Sequence, residues 1–329
     1  MPLLAVDNLT VSFGRGSGEV RAVEGVTLSV MEGDIYGVVG ETGCGKSTLA
    51  SALLDIVASP GRVTGGEVRI KGRSVASMSV KERDRMRGAE IGMVFQSSMN
   101  AFNPVITIGA QVRHILKAHP DVFPDQHEGI AYFEHLCTLM RLDHALIWKS
   151  FESQLSGGMK QRVAIAISAL LKPQILVLDE VTTALDVWNQ RLVMAILRDL
   201  HRRLGVTIIF VTHDLAVVAE LASRVAVMYA ARLVESATVQ EIFAVGRRHP
   251  YVAALVGAIP SILEDGRSVQ PIPGQVPSLA DLPRGCRFAS RCTLVEEVCL
   301  SEEPPLLANS SGHLVACHVV NAGLEVETL

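Results

Sequence analysis

The stretch GETGCGKST, residues 40–48, decides the fold, because it fits the pattern G-x-x-x-x-G-K-[ST] and follows an apolar run at 35–39. Glycines let backbone N–H groups converge on phosphate oxygens, and a helix predicted to begin near Lys46 adds the positive end of its dipole. Lys46 supplies a full charge, and Ser47 a hydroxyl for Mg²⁺. The sequence therefore predicts an α/β fold with a phosphate-binding loop rather than an ordinary glycine turn. The loop residues expected to contact a nucleotide are Gly40, Thr42, Gly43, Cys44, Gly45, Lys46, Ser47 and Thr48.

A second segment, QILVLDE at 174–180, carries two carboxylates at the end of a continuous apolar run. Such a run is typical of a central parallel strand that is buried on both faces. At its end, Asp179 is expected to hold Mg²⁺ through water, and Glu180 to act on the attacking water as general base or orienter. Two acids at a strand end can also be helix caps, but the phosphate loop in the same chain favours catalysis.

A third segment, LSGGMKQR at 155–162, stands shortly before that strand. Ser156, Gly157 and Gly158 open a predicted helix, because apolar residues follow at helical spacing in MKQRVAIAISALL. A helix N-terminus with accessible N–H groups is a second anion site.

Taken in this order, the three segments resemble those of ABC-type ATPases. The resemblance implies a RecA-like P-loop core with an antiparallel β subdomain and an inserted helical subdomain at about 97–155. It also implies that the LSGG segment of one nucleotide-binding domain binds the γ-phosphate held by another. Because the chain has one phosphate loop and one LSGG segment, we expect it to need a second copy or a homologue.

The same resemblance gives roles to four further residues. His213, in TIIFVTHDLA, matches the histidine that contacts the γ-phosphate, although a lone histidine is usually structural. Gln96, in IGMVFQ, matches the glutamine that reaches Mg²⁺ and the lytic water. Phe13, in LTVSF, matches the aromatic residue that stacks on adenine, with a core or edge aromatic as the alternative. Asp186, in TTALD, matches the residue that communicates across the dimer. The expected catalytic residues are thus Glu180, His213 and Gln96, and the expected Mg²⁺ ligands are Ser47, Gln96 and Asp179.

Composition indicates a cytoplasmic enzyme. The 329 residues can bury a full core, and although 49% are hydrophobic, no apolar stretch approaches the length of a membrane-spanning helix. The N-terminus, MPLLAVDNL, lacks the basic flank and long apolar core of a signal peptide. A net charge of −4 gives no electrostatic footprint for nucleic acid.

The last 44 residues hold four of the six cysteines, spaced C-x5-C-x6-C-x17-C. A reducing cytoplasm argues against disulfides, so the clustering suggests a metal centre in a small module that has little core of its own. Four thiolates suit a [4Fe–4S] cluster or Zn²⁺, and disulfides or free thiols are the remaining alternatives. His313 and His318 flank the last cysteine and could replace a ligand, or be surface histidines. The candidate ligands are Cys286, Cys292, Cys299 and Cys317.

Two further stretches resemble ATPase subunits of bacterial dipeptide and oligopeptide importers, a family that also includes nickel importers. They are FQSSMNAFNPVITIG at 95–109 and LVESATVQEIFAVGRRHPYVAAL at 233–255, the latter followed by LPRGCRFASRC. The resemblance implies a nucleotide-binding domain at 1–255 and a C-terminal extension at 256–329 in which some members hold an iron–sulfur cluster. It also implies two transmembrane permease partners, an extracytoplasmic binding protein, and a place at the cytoplasmic face of the plasma membrane.

Several residues depart from the family pattern. Val181 replaces Pro after the catalytic glutamate, Ala231 replaces Gly, and Cys44 replaces the commoner Ser, which would make ATP binding sensitive to oxidation unless the change is neutral. Ser98 and Phe102 replace Pro and Leu. Other readings are an importer of nickel or a metal chelate, a soluble ABC ATPase with a zinc module that acts on nucleic acid, and a tail that senses iron or redox state.

Overall fold

The computed structural model describes residues 1–96, 102–183, 185–244, 246–259 and 272–323. The chain forms two units, each assembled from separate stretches of sequence. The first comprises 1–30, 34–76 and 211–329, and the second comprises 31–33 and 77–210. Ser98 lies outside the described residues, and so do 260–271 and 324–329 of the expected C-terminal extension.

The first unit begins with an antiparallel sheet in the order β2-β1-β4-β5. Strands β1 and β2 pair from Leu4 with Val30 to Phe13 with Val20, with register shifts between Val6 and Ser12. Apolar side chains of the two long strands face the core, so one face of the sheet is buried. The strands are β1 (Leu4–Phe13), β2 (Val20–Val30), β4 (Arg62–Ile70) and β5 (Arg73–Ser74).

A second set of strands in this unit has the order β11-β12-β10-β9-β3. The strand before the phosphate loop, β3, is buried at all five positions and runs parallel to β9, as its continuous apolar sequence predicts. The remaining pairs are antiparallel, and the pairing of β12 with β10 attaches the C-terminal segment, residues 272–323, to the sheet. The strands are β3 (Ile35–Val39), β9 (Arg224–Tyr229), β10 (Arg232–Thr238), β11 (Leu307–Ala308) and β12 (Leu314–Val315).

The helices of the first unit are mostly short. The first of them begins at Lys46, which confirms the predicted start of the helix behind the phosphate loop. They are α1 (Lys46–Leu53), α8 (Leu215–Leu221), α9 (Val239–Phe243), α10 (Pro250–Gly257), α11 (Glu297–Ser301) and α12 (His318–Asn321).

The second unit combines a parallel strand pair with helices. Strand β7 is buried at all five positions and parallel to β6, which confirms the interpretation of its apolar run. Each of the helices α3 to α7 begins behind a Ser, Thr or Asp whose side chain accepts a hydrogen bond from a first-turn N–H group. The strands are β6 (Ile91–Val94), β7 (Ile175–Asp179) and β8 (Thr207–Thr212), the last of which continues into the first unit. The helices are α2 (Val80–Ala89), α3 (Ile108–Ala118), α4 (Gln126–Leu139), α5 (His144–Lys149), α6 (Gly157–Ala169) and α7 (Val187–Leu204).

Among the described residues, no helix combines the length and the apolar character needed to cross a membrane.

Candidate functional site

Two glycines of the phosphate loop stand where a side chain has no room. A Cβ atom at Gly45 would lie 2.0 Å from the carbonyl oxygen of Ala22, and this glycine has a φ of +105°. A Cβ at Gly40 would lie 2.2 Å from the carbonyl oxygen of Met228. The loop can therefore pack tightly against its neighbours in the first unit only because both positions are glycine.

Lys46 is 4% exposed, and its ammonium group is held over the loop. Its Nζ donates to the carbonyl oxygens of Gly40, at 2.7 Å, and Glu41, at 3.0 Å. The third donor hydrogen of the ammonium faces the Cys44 thiol at 3.9 Å, a weak acceptor that a phosphate oxygen can replace. Thr42 and Gly43 are exposed at the tip of the loop, as a ligand-binding role requires.

Cys44 is fully buried inside the loop, with its Sγ 3.9 Å from Nζ of Lys46. Burial raises the pKa of its thiol, and the nearby ammonium offsets this only in part. Because the thiolate is the reactive form, burial protects this cysteine from oxidants.

Phe13 and His213 lie in the first unit as well. Phe13 ends β1, is half-buried, and packs against Gly61, where a Cβ would lie 2.6 Å from the ring. His213 is exposed directly after β8, and the next residue, Asp214, caps α8 through hydrogen bonds from the N–H groups of Ala216 and Val217. The strand-end position of His213 agrees with its expected role, and its contact with phosphate stays a prediction.

The two carboxylates predicted for the site lie at the end of β7 in the second unit. Asp179 is 3% exposed and Glu180 is 8% exposed. Nε2 of Gln96 donates to Oε2 of Glu180 at 2.8 Å, and the hydroxyl of Thr183 donates to the same oxygen at 3.3 Å. The structure thus brings together two of the expected catalytic residues. Glu180 also has a φ of +49°, a left-handed conformation that is uncommon for a non-glycine residue and is found at functional sites.

The LSGG segment opens α6 as predicted. Ser156 caps the helix, and its hydroxyl accepts from the N–H of Met159 at 3.3 Å. Gly157 is exposed, so the first turn of the helix is accessible to an anion.

Asp186 caps α7 in the same unit. Its carboxylate accepts from the N–H of Asn189, at 2.9 Å, and from the side-chain amide of that residue, at 2.7 Å. These hydrogen bonds lower the pKa of Asp186. Asn189 also packs on the LSGG segment, because a Cβ at Gly158 would lie 3.0 Å from its Oδ1. Sequence reasoning missed Asn189, which follows Asp186 by one helical turn and carries no motif signal of its own.

Comparison with known proteins places these features in a family. Residues 23–183 match the family described as ABC transporter, and residues 234–299 match the one described as oligopeptide/dipeptide transporter, C-terminal region. The chain is 38% identical over 318 residues to the dipeptide transport ATP-binding protein DppD of Escherichia coli (strain K12), with 97% of each chain covered. It is 37% identical over 316 residues to the oligopeptide transport ATP-binding protein OppD of Salmonella typhimurium, covering 96% of this chain and 93% of the relative. The chain belongs to the ABC transporter ATP-binding proteins.

A solved structure supports the same conclusion. The ATP-binding cassette MJ0796, a dimer in a post-hydrolysis state bound to ADP and Pi, matches with a TM-score of 0.61 and 27% identity, over 72% of this chain and 98% of that one. The fold is therefore that of an ABC ATPase cassette, with α/β content and mixed sheets. As an ABC ATPase, the chain binds and hydrolyses ATP.

The four C-terminal cysteines of this ABC ATPase line one cavity of about 10 Å³, room for about one water molecule. Burial raises the pKa of the Cys286 thiol to about 11, and it also raises the pKa values of the Cys292 and Cys317 thiols. Within the described ranges, no group of three or more His, Cys, Asp or Glu residues is arranged to hold a metal ion. The expected [4Fe–4S] cluster is therefore wrong, and the zinc alternative has no support.

The two histidines near Cys317 are held by protein groups. His313 is 4% exposed, and its Nε2 lies 2.9 Å from Oε1 of the buried Glu235. The interpretation of His313 as a surface histidine is therefore wrong, since it forms a buried pair between the C-terminal segment and β10. Nε2 of His318 donates to the carbonyl oxygen of Glu302 at 3.0 Å.

Proposed function

We propose that this ABC ATPase powers the import of dipeptides or oligopeptides through a membrane transporter. The observation that carries the proposal is similarity along nearly the whole chain to ATP-binding proteins of dipeptide and oligopeptide transport, including the C-terminal region at 234–299. An ATPase cassette alone does not indicate a substrate, because the substrate is recognised by other subunits. The C-terminal region ties this chain to the peptide branch.

Each motif has a role in hydrolysis. The loop at 40–48 holds the triphosphate through backbone N–H groups and Lys46, and Phe13 stacks on the adenine. Glu180 accepts a proton from the attacking water. Gln96, which already donates a hydrogen bond to Glu180, orients that water. His213 contacts the γ-phosphate. The hydrogen bond between Gln96 and Glu180 supports this assignment most directly.

Ser47, Gln96 and Asp179 are suited to Mg²⁺, because hydroxyl, amide and carboxylate oxygens are the ligands that this ion prefers. When bound, Mg²⁺ neutralises charge on the β- and γ-phosphates. These residues orient and bind the ion, whereas the proton from water goes to Glu180.

Assembly completes the site. Ser156, Gly157 and Gly158 of one ATPase subunit bind the γ-phosphate held by the phosphate loop of a second subunit, identical or homologous, and Asp186 communicates across the dimer. The exposed N-terminus of α6 supports this arrangement. ATP-driven closure and separation of the two ATPase subunits then switch two transmembrane permease subunits between inward- and outward-facing states. An extracytoplasmic binding protein delivers the peptide to these permeases.

The proposed function implies a location and a domain organisation for the chain. The chain lies at the cytoplasmic face of the plasma membrane as a peripheral subunit. Residues 1–255 form the nucleotide-binding domain, with a helical subdomain at about 97–155 that supplies α3, α4 and α5, and residues 256–329 form a cysteine-rich C-terminal extension.

The test is reconstitution. The tagged full chain is purified from its native membranes together with its permeases, placed in proteoliposomes with the binding protein, and supplied with ATP and either a labelled dipeptide or Ni²⁺. We expect ATP-dependent dipeptide uptake, and a loss of about 100-fold or more in hydrolysis for the Glu180→Gln variant, which still binds ATP. Uptake of Ni²⁺ without dipeptide, or purification free of permeases, would contradict the proposal.

A further inference from the structure

The second residue of the phosphate loop, Glu41, is a junction of the loop's hydrogen bonds. Its carbonyl oxygen accepts from Nζ of Lys46 at 3.0 Å and from the N–H of Cys44 at 3.2 Å. Its own N–H donates to the hydroxyl of Tyr251 at 3.1 Å. The position of Glu41 therefore sets where the Lys46 ammonium sits.

The carboxylate of Glu41 is bound by an arginine that lies 250 residues further along the chain. Nη1 of Arg291 lies 3.0 Å from Oε1 and 3.2 Å from Oε2 of Glu41, and 3.2 Å from the hydroxyl of Tyr229. The Arg291 side chain is 4% exposed and that of Glu41 is 26% exposed. Burial lowers the pKa of Arg291, but Tyr229 and Glu41 raise it above its ordinary value, so the guanidinium is charged.

Arg291 is fixed by its own segment as well. It ends a turn of 3₁₀ helix, Ala289–Arg291, and its Nε donates to the carbonyl oxygen of Pro273 at 2.7 Å. The guanidinium carbon lies 5.7 Å from the ring centre of Tyr229 and 5.8 Å from that of Phe288. An arginine with few free rotamers loses little entropy on binding its partner, so the contact with Glu41 is pre-organised.

The charge of Glu41 explains why this contact matters to the ATP site. A carboxylate within the loop repels the triphosphate, and the repulsion is strong where burial lowers the effective dielectric constant. A fixed guanidinium beside that carboxylate cancels most of its field. Lys46 is the only cation in the loop sequence GETGCGKST, and its ammonium donates to the main-chain oxygens of Gly40 and Glu41.

We propose that Arg291 of the C-terminal segment is a positioning residue for ATP binding: it acts through Glu41, whose charge it neutralises, and so removes the repulsion that this carboxylate would exert on the triphosphate. The inference rests on ATP binding by the phosphate loop and not on the transported substrate. It gives the C-terminal segment a part in the nucleotide site that needs no metal.

The test uses the full chain, four variants of the Arg291–Glu41 pair and one control variant. We expect Arg291→Gln to raise the KM for ATP and the Kd for a fluorescent ATP analogue by roughly five- to twentyfold, with kcat at saturating ATP nearly unchanged, because the lost term is charge neutralisation in binding. Arg291→Lys keeps the charge, so its affinity for ATP should fall by about threefold or less. Glu41→Gln should bind ATP as well as wild type or better. The double variant Glu41→Gln/Arg291→Gln should recover most of the affinity lost in Arg291→Gln.

The exposed Arg284 of the same segment provides the control, since Arg284→Gln makes the same charge change away from Glu41. It should leave KM unchanged, and thermal melting should show all variants folded. Wild-type affinity in Arg291→Gln, or a double variant as weak as Arg291→Gln, would overturn the inference. If Arg291→Gln does not fold, weaker binding by Glu41→Gln overturns it. A chain that hydrolyses ATP but moves no peptide would contradict the proposed peptide import and would leave the inference about Arg291 intact.

Discussion

The phosphate loop and the C-terminal segment belong to the same unit and are held in place by different means. Backbone hydrogen bonds, two tightly packed glycines and the start of α1 hold the loop. The C-terminal segment is held by the pairing of β12 with β10 and also by ionised side chains, among them Arg287, whose guanidinium pairs with Glu24 of β2 at 2.6 Å. The loop should therefore respond to changes in backbone geometry, and the segment to charge and pH.

The largest expected effect is that of Gly45→Ala. The new Cβ would lie 2.0 Å from a backbone oxygen at a φ of +105°, so the loop must shift and ATP binding should fall below detection. Gly43→Ala is the matched change, because Gly43 has a positive φ but open space around it, and it should lose only part of the affinity. Titration with a fluorescent ATP analogue measures both. Equal losses would show that φ strain, and not close packing, dominates.

A smaller effect is expected for Arg287→Ala. Removing the guanidinium takes away one of the three arginines that pair with Glu24, which should lower the free energy of unfolding by about 1–3 kcal/mol. Nucleotide affinity should fall much less than in Gly45→Ala. Denaturant unfolding measures the change in the free energy of unfolding, and ATP titration of the same sample measures the change in nucleotide affinity. A variant as stable as wild type would mean that the ion pairs do not hold the segment.

Acid should weaken the attachment of the segment. Burial raises the pKa of Glu24, but Arg287, Arg21 and Arg232 outweigh it and lower the pKa to about 2. A lowered pKa contributes stability above the ordinary value of 4.5, and this contribution is lost as pH falls toward 2. Glu241, whose pKa falls to about 2 through its hydrogen bond from Ser311, adds to the same window.

The measurement is the Tm between pH 7 and pH 3. Wild type should lose stability below about pH 4.5, and Arg287→Ala should show a flatter profile, because its Glu24 has a pKa nearer the ordinary value. Parallel profiles for the two proteins would argue against Arg287 as the partner that sets the pKa.

The smallest effect belongs to Cys44→Ser. The thiol is buried with a raised pKa, so ATP hydrolysis should change by less than about twofold, and a maleimide should affect wild type and variant alike. The assay is hydrolysis before and after treatment with a maleimide. Inhibition of the wild type that is lost in the variant would show that the reagent reaches Cys44 in spite of its burial.

Local pattern predicted the loop better than the C-terminal segment. Strand β3 and the start of α1 were predictable to the residue, because an apolar run and a glycine pattern determine backbone conformation over a few positions. The pair formed by Arg291 and Glu41 was not predictable, since no rule of spacing links side chains 250 residues apart. The cysteines do share a cavity, but their spacing did not reveal that, among the described residues, they form no group arranged to hold a metal ion.

The departures from the family pattern also differ in how far the structure explains them. Ala231 has a φ of +73°, which explains why glycine is usual there. Two hydrogen bonds hold this strained turn: the N–H of Ala231 donates to the carbonyl oxygen of Cys44, and its carbonyl oxygen accepts from the N–H of Glu24. Val181 is buried directly after Glu180, and Phe102 is 8% exposed, so both serve packing. Nothing in the structure explains why Val181 is preferred to proline.

The contact of Asn189 with Gly158 affects how mutants of the LSGG segment are to be interpreted. Any side chain at 158 must displace the Asn189 amide, which also supplies a hydrogen bond to Asp186. Gly158→Ala therefore perturbs two motifs with one methyl group, and a lost activity does not by itself report a lost nucleotide contact. Asn189→Ala removes only the side-chain hydrogen bond to Asp186, keeps the one from the main-chain N–H, and leaves the glycine in place, so the pair of variants separates the two contributions.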